Sequence, residues 1–272
     1  EACSRRSSRG AVIGGGLLGL EAAGALKNLG IETHVIEFAP VLMAEQLDQQ
    51  GGEQLRRRIE EMGVRVHTGK NTQQIVHHAQ GGKTLQFADG STLAVDFIVF
   101  STGIRPQDAL AKQCGLTLGP RGGIAIDDQC RTSDPAIYAI GECAAWQNRA
   151  YGLVAPGYKM AQVASDHLLG RDNAFTGADM SAKLKLLGVD VGGIGDTRGI
   201  TPGARSVVWL DEGKSIYKRL ILSEDQKTLL GAVLVGDTRD YGNLLQLVLN
   251  AIPLPDQPEA LIRPTGSGEK PA

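Results

Sequence analysis

Three glycines, Gly14, Gly16 and Gly19, stand in the pattern G-x-G-x-x-G, and an acid, Glu37, follows where the next strand should end. These residue types suit the holding of a dinucleotide. Gly14 permits a tight strand-to-helix turn. Gly16 lacks the side chain that would keep backbone away from a pyrophosphate, and Gly19 lets helix and strand pack closely. With Gly15 the loop is glycine throughout. The N–H groups of Gly16, Leu17 and Leu18 open a helix, so they have no partner within it, and the positive end of the helix dipole adds to their attraction for phosphate. A carboxylate at Glu37 is placed to accept from both adenosine ribose hydroxyls. Phe38, Ala39 and Pro40 offer no cation to a 2′-phosphate, so the pattern predicts NADH over NADPH. Glu21, in the first turns of the same helix, has two readings: a favourable acid near a helix N-terminus, or a contact near the nicotinamide end.

The elements that must position these residues follow from hydrophobic periodicity. The apolar run 10–14 reads as a buried strand, 17–29 as a helix stopped by Gly30, and 33–37 as a second strand. A helix over 48–62, stopped by Gly63, leads to a strand over 64–67. The period then changes to two over 74–78, 83–87 and 91–94, with turns at Gly81-Gly82 and Asp89-Gly90, before a buried strand over 96–101. This is a doubly wound α/β unit with a parallel sheet and a β-meander insertion. Further on, strands are expected at 124–126 and 138–140 and a helix at 157–169. Antiparallel strands at 183–187, 206–210, 216–222 and 229–235, with a helix at 241–251, form a C-terminal α+β domain.

Composition narrows the function classes. Of 272 residues, 28 are basic and 30 acidic, for a formal charge of −2, which predicts neither a nucleic-acid partner nor a membrane surface. Aromatics make up only 4%, too few for a base-stacking platform. No apolar run approaches a membrane span, and the start, EACSRRSSRG, lacks the apolar core of a secretory signal. Cys3, Cys114, Cys130 and Cys143 form no C-x-x-C pair, so a reduced, cytoplasmic protein without a cysteine metal site is expected. Cys114, Cys130 and Cys143 read as packed thiols. His77-His78 reads as two solvated histidines pointing to opposite faces of a strand, and Arg56-Arg57-Arg58 as a solvated helix surface.

Three stretches carry a resemblance: G-G-G-x-x-G-x-E from Gly14 to Glu21, S-T-G-I-R-P from Ser101 to Pro106, and T-S-D-P-x-I-Y-A-I-G-E from Thr132 to Glu142. Together they resemble the two-dinucleotide-binding flavoprotein reductases. The resemblance implies that the first stretch binds NAD(H) in an inserted domain and that the second links back toward an FAD domain, with Gly103 a backbone contact near NAD. It implies that the third holds the ribitol and pyrophosphate of FAD, with Gly141 and Glu142 as contacts. The wider family carries Asp where this chain has Glu142, a shift of about one methylene that retains the acceptor. Residues 153–169 are similar to a helix whose N-terminus faces the flavin. The Gly-Glu-Cys variant at Gly141 to Cys143, with the stretches 183–196 and 236–250, is similar to the subgroup of bacterial nitrite reductase large subunits.

That resemblance implies five segments: a linker over 1–9, an NAD(H)-binding domain over 10–120, a partial FAD-binding domain over 121–172, an interface-type domain over 173–255 and an extended tail over 256–272. It implies an electron-input portion passing hydride from NADH to FAD for reduction of nitrite to ammonia. The FAD half-site is expected to be incomplete, because a second G-x-G-x-x-G is not present. Iron–sulfur and sirohaem groups are expected only in other parts of a parent protein. Its interface-type strands imply a homodimer. No catalytic side chain is expected, because hydride transfer needs neither acid nor base and the cofactors carry the chemistry. Two alternatives stand beside this reading. One is another FAD-dependent NADH reductase, either of the rubredoxin or ferredoxin reductase type or an assimilatory nitrate reductase electron-transfer subunit. The other is a nucleotide-binding fragment without turnover.

Overall fold

The computed structural model describes residues 8–263. Arg9–Ile13 (β1) is buried on both faces, as a central parallel strand must be, and leads through the glycine loop into Leu17–Asn28 (α1). Gly30 ends that helix at φ +76°, the left-handed position that glycine fills without strain. Glu32–Ile36 (β2) follows, then an irregular stretch, then Gln49–Glu61 (α2) and Arg65–His67 (β3). Thr72–His77 (β4), Lys83–Phe87 (β5) and Thr92–Val95 (β6) form the antiparallel meander, and Phe97–Phe100 (β7) returns to the first sheet. That sheet runs β3-β2-β1-β7, all parallel, which is the expected doubly wound unit with its β insertion.

The middle of the chain holds Ala109–Gln113 (α3), Ile124–Ile126 (β8), Ala144–Trp146 (β9), Arg149–Ala150 (β10) and Val154–Leu168 (α4). Its small sheet runs β10-β9-β8, over a core that includes Cys130, Met160 and Phe175. The remaining strands, Ala182–Leu186 (β11), Val189–Gly195 (β12), Arg205–Asp211 (β13), Ile216–Leu222 (β14) and Leu229–Val235 (β15), are antiparallel in the order β11-β12-β15-β14-β13. Tyr241–Leu249 (α5) packs on one face of that sheet.

The chain divides into two compact units: the part up to Thr102 together with the part from Ser181 onward, and Gly103–Met180 between them. The C-terminal sheet therefore belongs with the doubly wound unit, and 103–120 belongs with the middle unit, unlike the expected boundaries. The reason is apolar surface. Both faces of a sheet this hydrophobic need cover. One face meets α5, and the other shares a single core with α2, in which Leu55, Ile59, Val191, Tyr217 and Val233 are all within 1% of full burial. Burying each such side chain is worth about 1.5–3 kcal/mol.

Three local expectations are corrected. The strand expected at 138–140 is not formed. Tyr138 makes one isolated bridge to Arg131, because a tight turn closed by the Thr132 N–H on the Ile137 carbonyl (2.9 Å) brings the chain back on itself. Helix α4 starts earlier than expected, at Val154, and Pro156 fits its first turn, where the missing N–H has no helical acceptor to lose. Strand β12 is not among the expected strands, and glycines in its VDVGGIG run weaken a strand signal. Its glycines serve packing instead: a Cβ on Gly192 would lie 2.9 Å from the Tyr241 ring. The expected linker and tail lie largely outside the described residues.

Candidate functional site

The glycine loop joins β1 to α1, and its glycines have different tasks. Gly14 adopts φ +118°, and a Cβ there would lie 2.0 Å from the Ser101 carbonyl oxygen. A Cβ on Gly19 would lie 1.9 Å from the Gly14 carbonyl oxygen. These two positions admit no side chain because backbone fills the space. Gly15 is closed off by Leu42 and Glu37. Gly16 differs: nothing lies within 4 Å of its Cβ direction, so the loop is open at that point. Gly16 is the N-cap of α1, no side chain caps that end, and no acid occupies the first turn. The first N–H groups of α1 and its positive dipole end therefore have no side chain of the helix start on them, which is the chemistry of an anion cradle. Leu17 is half-buried and Leu18 is exposed beside it.

Glu37 follows β2 directly, against this loop. Its Oε2 accepts from the Gly15 N–H at 2.6 Å and its Oε1 from the Ala39 N–H at 2.7 Å. Two of about four lone-pair sites are thus used, and the carboxylate is fixed in direction with acceptor capacity left over. The neighbouring cation, Lys70, donates its backbone N–H to the Glu37 carbonyl at 2.9 Å, while its ammonium is held by Asp89 and Ser91. The Lys70 ammonium is thus already engaged.

Glu21 lies one turn into α1, exposed and past the first turn, so it does not act on the helix terminus. Gly103, at φ +91°, opens the middle unit, and that unit also carries Gly141 and Glu142. Gly141 adopts φ +77°, Glu142 is exposed, and a Cβ on Gly157 would lie 3.0 Å from the Gly141 Cα, so the start of α4 seats directly on the Gly-Glu-Cys turn. No side chain caps α4, and Ile140, Leu153 and Val154 are exposed around its start. A free carboxylate, an uncapped helix end and exposed apolar side chains fit a flat ring system with a polar tail. These residues are compatible with part of an FAD site.

The other candidates resolve simply. His77 and His78 are exposed, and His78 bonds to Thr84. Arg56 is tied to Glu53 and Glu60, both at 2.6 Å, in an ion-pair network along α2. Cys130 is fully buried, which pushes its thiol up to about 11, while Cys114 is exposed and Cys143 partly so. Among the described residues no group of three or more His, Cys, Asp or Glu is gathered to hold a metal ion, and no helix is long and apolar enough to cross a membrane.

Two arrangements were not legible in the sequence. His34 and His67 stack on adjacent strands, with Nδ1 and Nε2 3.0 Å apart and His34 Nε2 3.3 Å from Glu32. Burial holds both imidazoles below the ordinary histidine range. The second is Asp48, which caps α2 through the Gly51 N–H and also accepts from Tyr217 and Arg219. No short-range pattern links residues on elements far apart in the chain, so neither arrangement had a signal to read.

The family described as pyridine nucleotide-disulphide oxidoreductase matches residues 3–167, more than half of the chain. The chain belongs to that family. A second family, the rubredoxin NAD+ reductase C-terminal domain, matches residues 181–252. The chain is 77% identical over 269 residues to the nitrite reductase (NADH) large subunit of Escherichia coli (strain K12), covering 98% of this chain and 32% of that protein. It is 60% identical over 263 residues to the nitrite reductase [NAD(P)H] large subunit of Klebsiella oxytoca, covering 97% of this chain and 27% of that one. The chain thus spans a third or less of the length of these relatives. Among solved structures, a NAD-dependent persulfide reductase from A. fulgidus superposes with a TM-score of 0.80 at 25% identity, over 91% of this chain and 50% of that one.

Proposed function

We propose that this chain binds NADH and directs its hydride to a flavin, as the electron-input portion of a nitrite reductase large subunit. The observation that carries the reading is the loop open only at Gly16, with Glu37 pinned beside it. The N–H groups of Gly16, Leu17 and Leu18 hold the pyrophosphate, Gly14, Gly15 and Gly19 keep the loop close to it, and Glu37 accepts from the adenosine ribose hydroxyls. Glu21 is a further contact, toward the nicotinamide end. Gly141, Glu142 and the start of α4 hold part of FAD. When bound, FAD supplies a two-electron acceptor that can release electrons singly. The likeness to nitrite reductase large subunits, at 77% identity, supports nitrite as the final acceptor, with iron–sulfur and sirohaem groups in the remainder of such a protein. A cytoplasmic homodimer joined through the C-terminal strands belongs to the same reading, and sedimentation tests it.

The deciding experiment pairs calorimetry with a visible spectrum of the purified chain. NADH binding that is tighter than NADPH binding, with a flavin band after incubation with FAD, supports the reading. Absence of NADH binding overturns it, and NADH binding without flavin uptake reduces it to the nucleotide half. A second reading, a reductase of the rubredoxin type, is favoured by the match over 181–252. NADH-dependent reduction of rubredoxin by the flavin-loaded chain would support it.

A further inference from the structure

The stretch between β2 and α2 forms the back wall of the glycine loop. Its Met43 N–H donates to the Gly15 carbonyl at 3.1 Å, and its Leu42 lies where a Cβ on Gly15 would fall, 2.6 Å away. Its Ala39 N–H is one of the two donors that orient Glu37. An irregular stretch of this kind has no ladder of its own to fix it, so something else must hold its far end.

That hold comes from the C-terminal sheet. The stretch ends at Asp48, whose Oδ2 accepts from the Tyr217 hydroxyl at 2.6 Å and from Arg219 Nη1 at 3.0 Å, residues 169 and 171 positions further along the chain. Asp48 Oδ1 accepts from the Gly51 N–H at 3.0 Å, so one carboxylate joins helix cap and sheet. Tyr217 is fully buried; burial, then the Asp48 carboxylate, push its phenol well above the ordinary range, and the hydroxyl remains a donor. Arg219 is itself fixed, with Nε and Nη2 on the Ser206 hydroxyl at 3.0 and 2.9 Å. The same sheet backs the stretch elsewhere, since Leu42, Met43 and Leu47 share a core with Val191, Tyr217 and Val233.

We propose that Tyr217 and Arg219 are positioning residues for nucleotide binding, acting through Asp48 to set the 39–47 stretch and, through it, the Gly15 loop and Glu37. The inference rests on the NADH reading above and gives the C-terminal sheet a part in it beyond self-association. A site of this kind tolerates about 0.5 Å of play before its contacts weaken, so a loosened wall shows in affinity.

The test uses the full chain with Tyr217→Phe, which removes only the hydroxyl, and Arg219→Met. NADH affinity is read by calorimetry, stability by thermal unfolding, and the Met43 amide by hydrogen exchange. The expected result is NADH binding weakened by about twofold to thirtyfold, the range for residues that touch neither ligand, with faster exchange at Met43. Arg219→Lys, which retains the charge, should recover part of the loss. The second variant decides the matter if Tyr217→Phe folds poorly. Variants that lose stability yet bind NADH like the unsubstituted chain, with Met43 exchange unmoved, overturn this proposal alone. An unsubstituted chain that binds no NADH overturns the parent reading, and this proposal falls with it.

Discussion

Gly16→Ala should separate folding from binding. Gly16 sits at φ −85° and ψ −174°, an extended conformation open to any residue, and a Cβ there meets nothing within 4 Å. Alanine is a poorer N-cap than glycine by a few tenths to about 1 kcal/mol. Its lower freedom in the unfolded chain offsets this by about 0.4–1 kcal/mol. The net change is then within about 0.5 kcal/mol, a shift in Tm of no more than about 2 °C for a chain of this size. Binding is another matter, because the methyl group projects into the space a pyrophosphate would occupy. Loss of one charge-assisted N–H contact costs about 1.5–3 kcal/mol, or roughly tenfold to a hundredfold in Kd. Gly19→Ala is the contrasting control. Its Cβ would lie 1.9 Å from the Gly14 carbonyl oxygen, far inside the ~3.5 Å of ordinary contact. Helix and strand must part, at about 1–3 kcal/mol or more, lowering Tm by about 3–10 °C. Thermal unfolding and NADH calorimetry on both variants decide the matter. A Gly16→Ala chain that binds NADH normally, or that loses as much stability as Gly19→Ala, refutes the assignment of the open position to the ligand.

The other predictions use the same measurements. Glu37→Ala removes the acceptor of the Gly15 and Ala39 N–H groups, so it should lower NADH affinity by about tenfold or more and narrow the preference over NADPH; an unchanged ratio of the two affinities sinks the ribose assignment. The His34–His67 pair makes stability depend on pH. Both rings are held below their ordinary range, by burial first, with His34 and the cations Lys70 and Arg65 adding at His67, and with Glu32 opposing and Arg65 and Arg9 adding at His34. Below about pH 6.5 the unfolded chain takes up protons that the folded pair refuses, so Tm should fall as pH falls through that window. His67→Asn should flatten the fall, and an identical slope in that variant refutes the account. In alkylation at mildly alkaline pH, Cys114 should react in the native chain and Cys130 only on unfolding, because burial holds the Cys130 thiol at about 11; mass spectrometry of the labelled peptides reads the order.

The glycine loop and its parallel sheet were legible because each of their signals is local. Gly14, Gly16 and Gly19 sit within one turn, the helix stops fall at Gly30 and Gly63, and the meander has glycine at both hairpins. Backbone conformation at such points is dictated by the residue itself, so the chain text carries it. Strand β12 escaped because the same residue type has a second use: Gly192 and Gly193 are there for what packs on them, Tyr241 and Thr197, and composition alone does not distinguish a breaker from a close approach. The expected strand at 138–140 failed for a different reason. Its residues favour strand, but the turn over 132–137 leaves Tyr138 with one isolated bridge to Arg131.

What the sequence determined by itself is therefore the cradle: three glycines, an uncapped helix start and an acid at the end of the next strand. Only the tertiary structure decided how the cradle is held. It turned Glu37 into an anchor for the Gly15 and Ala39 N–H groups, and it joined Asp48 to Tyr217 and Arg219. It also fused the C-terminal sheet to the nucleotide fold through one core. The physical reason is range. A turn or a cap is settled by neighbours within a few residues, whereas a half-buried carboxylate is satisfied by whichever donors the packing of distant apolar faces delivers.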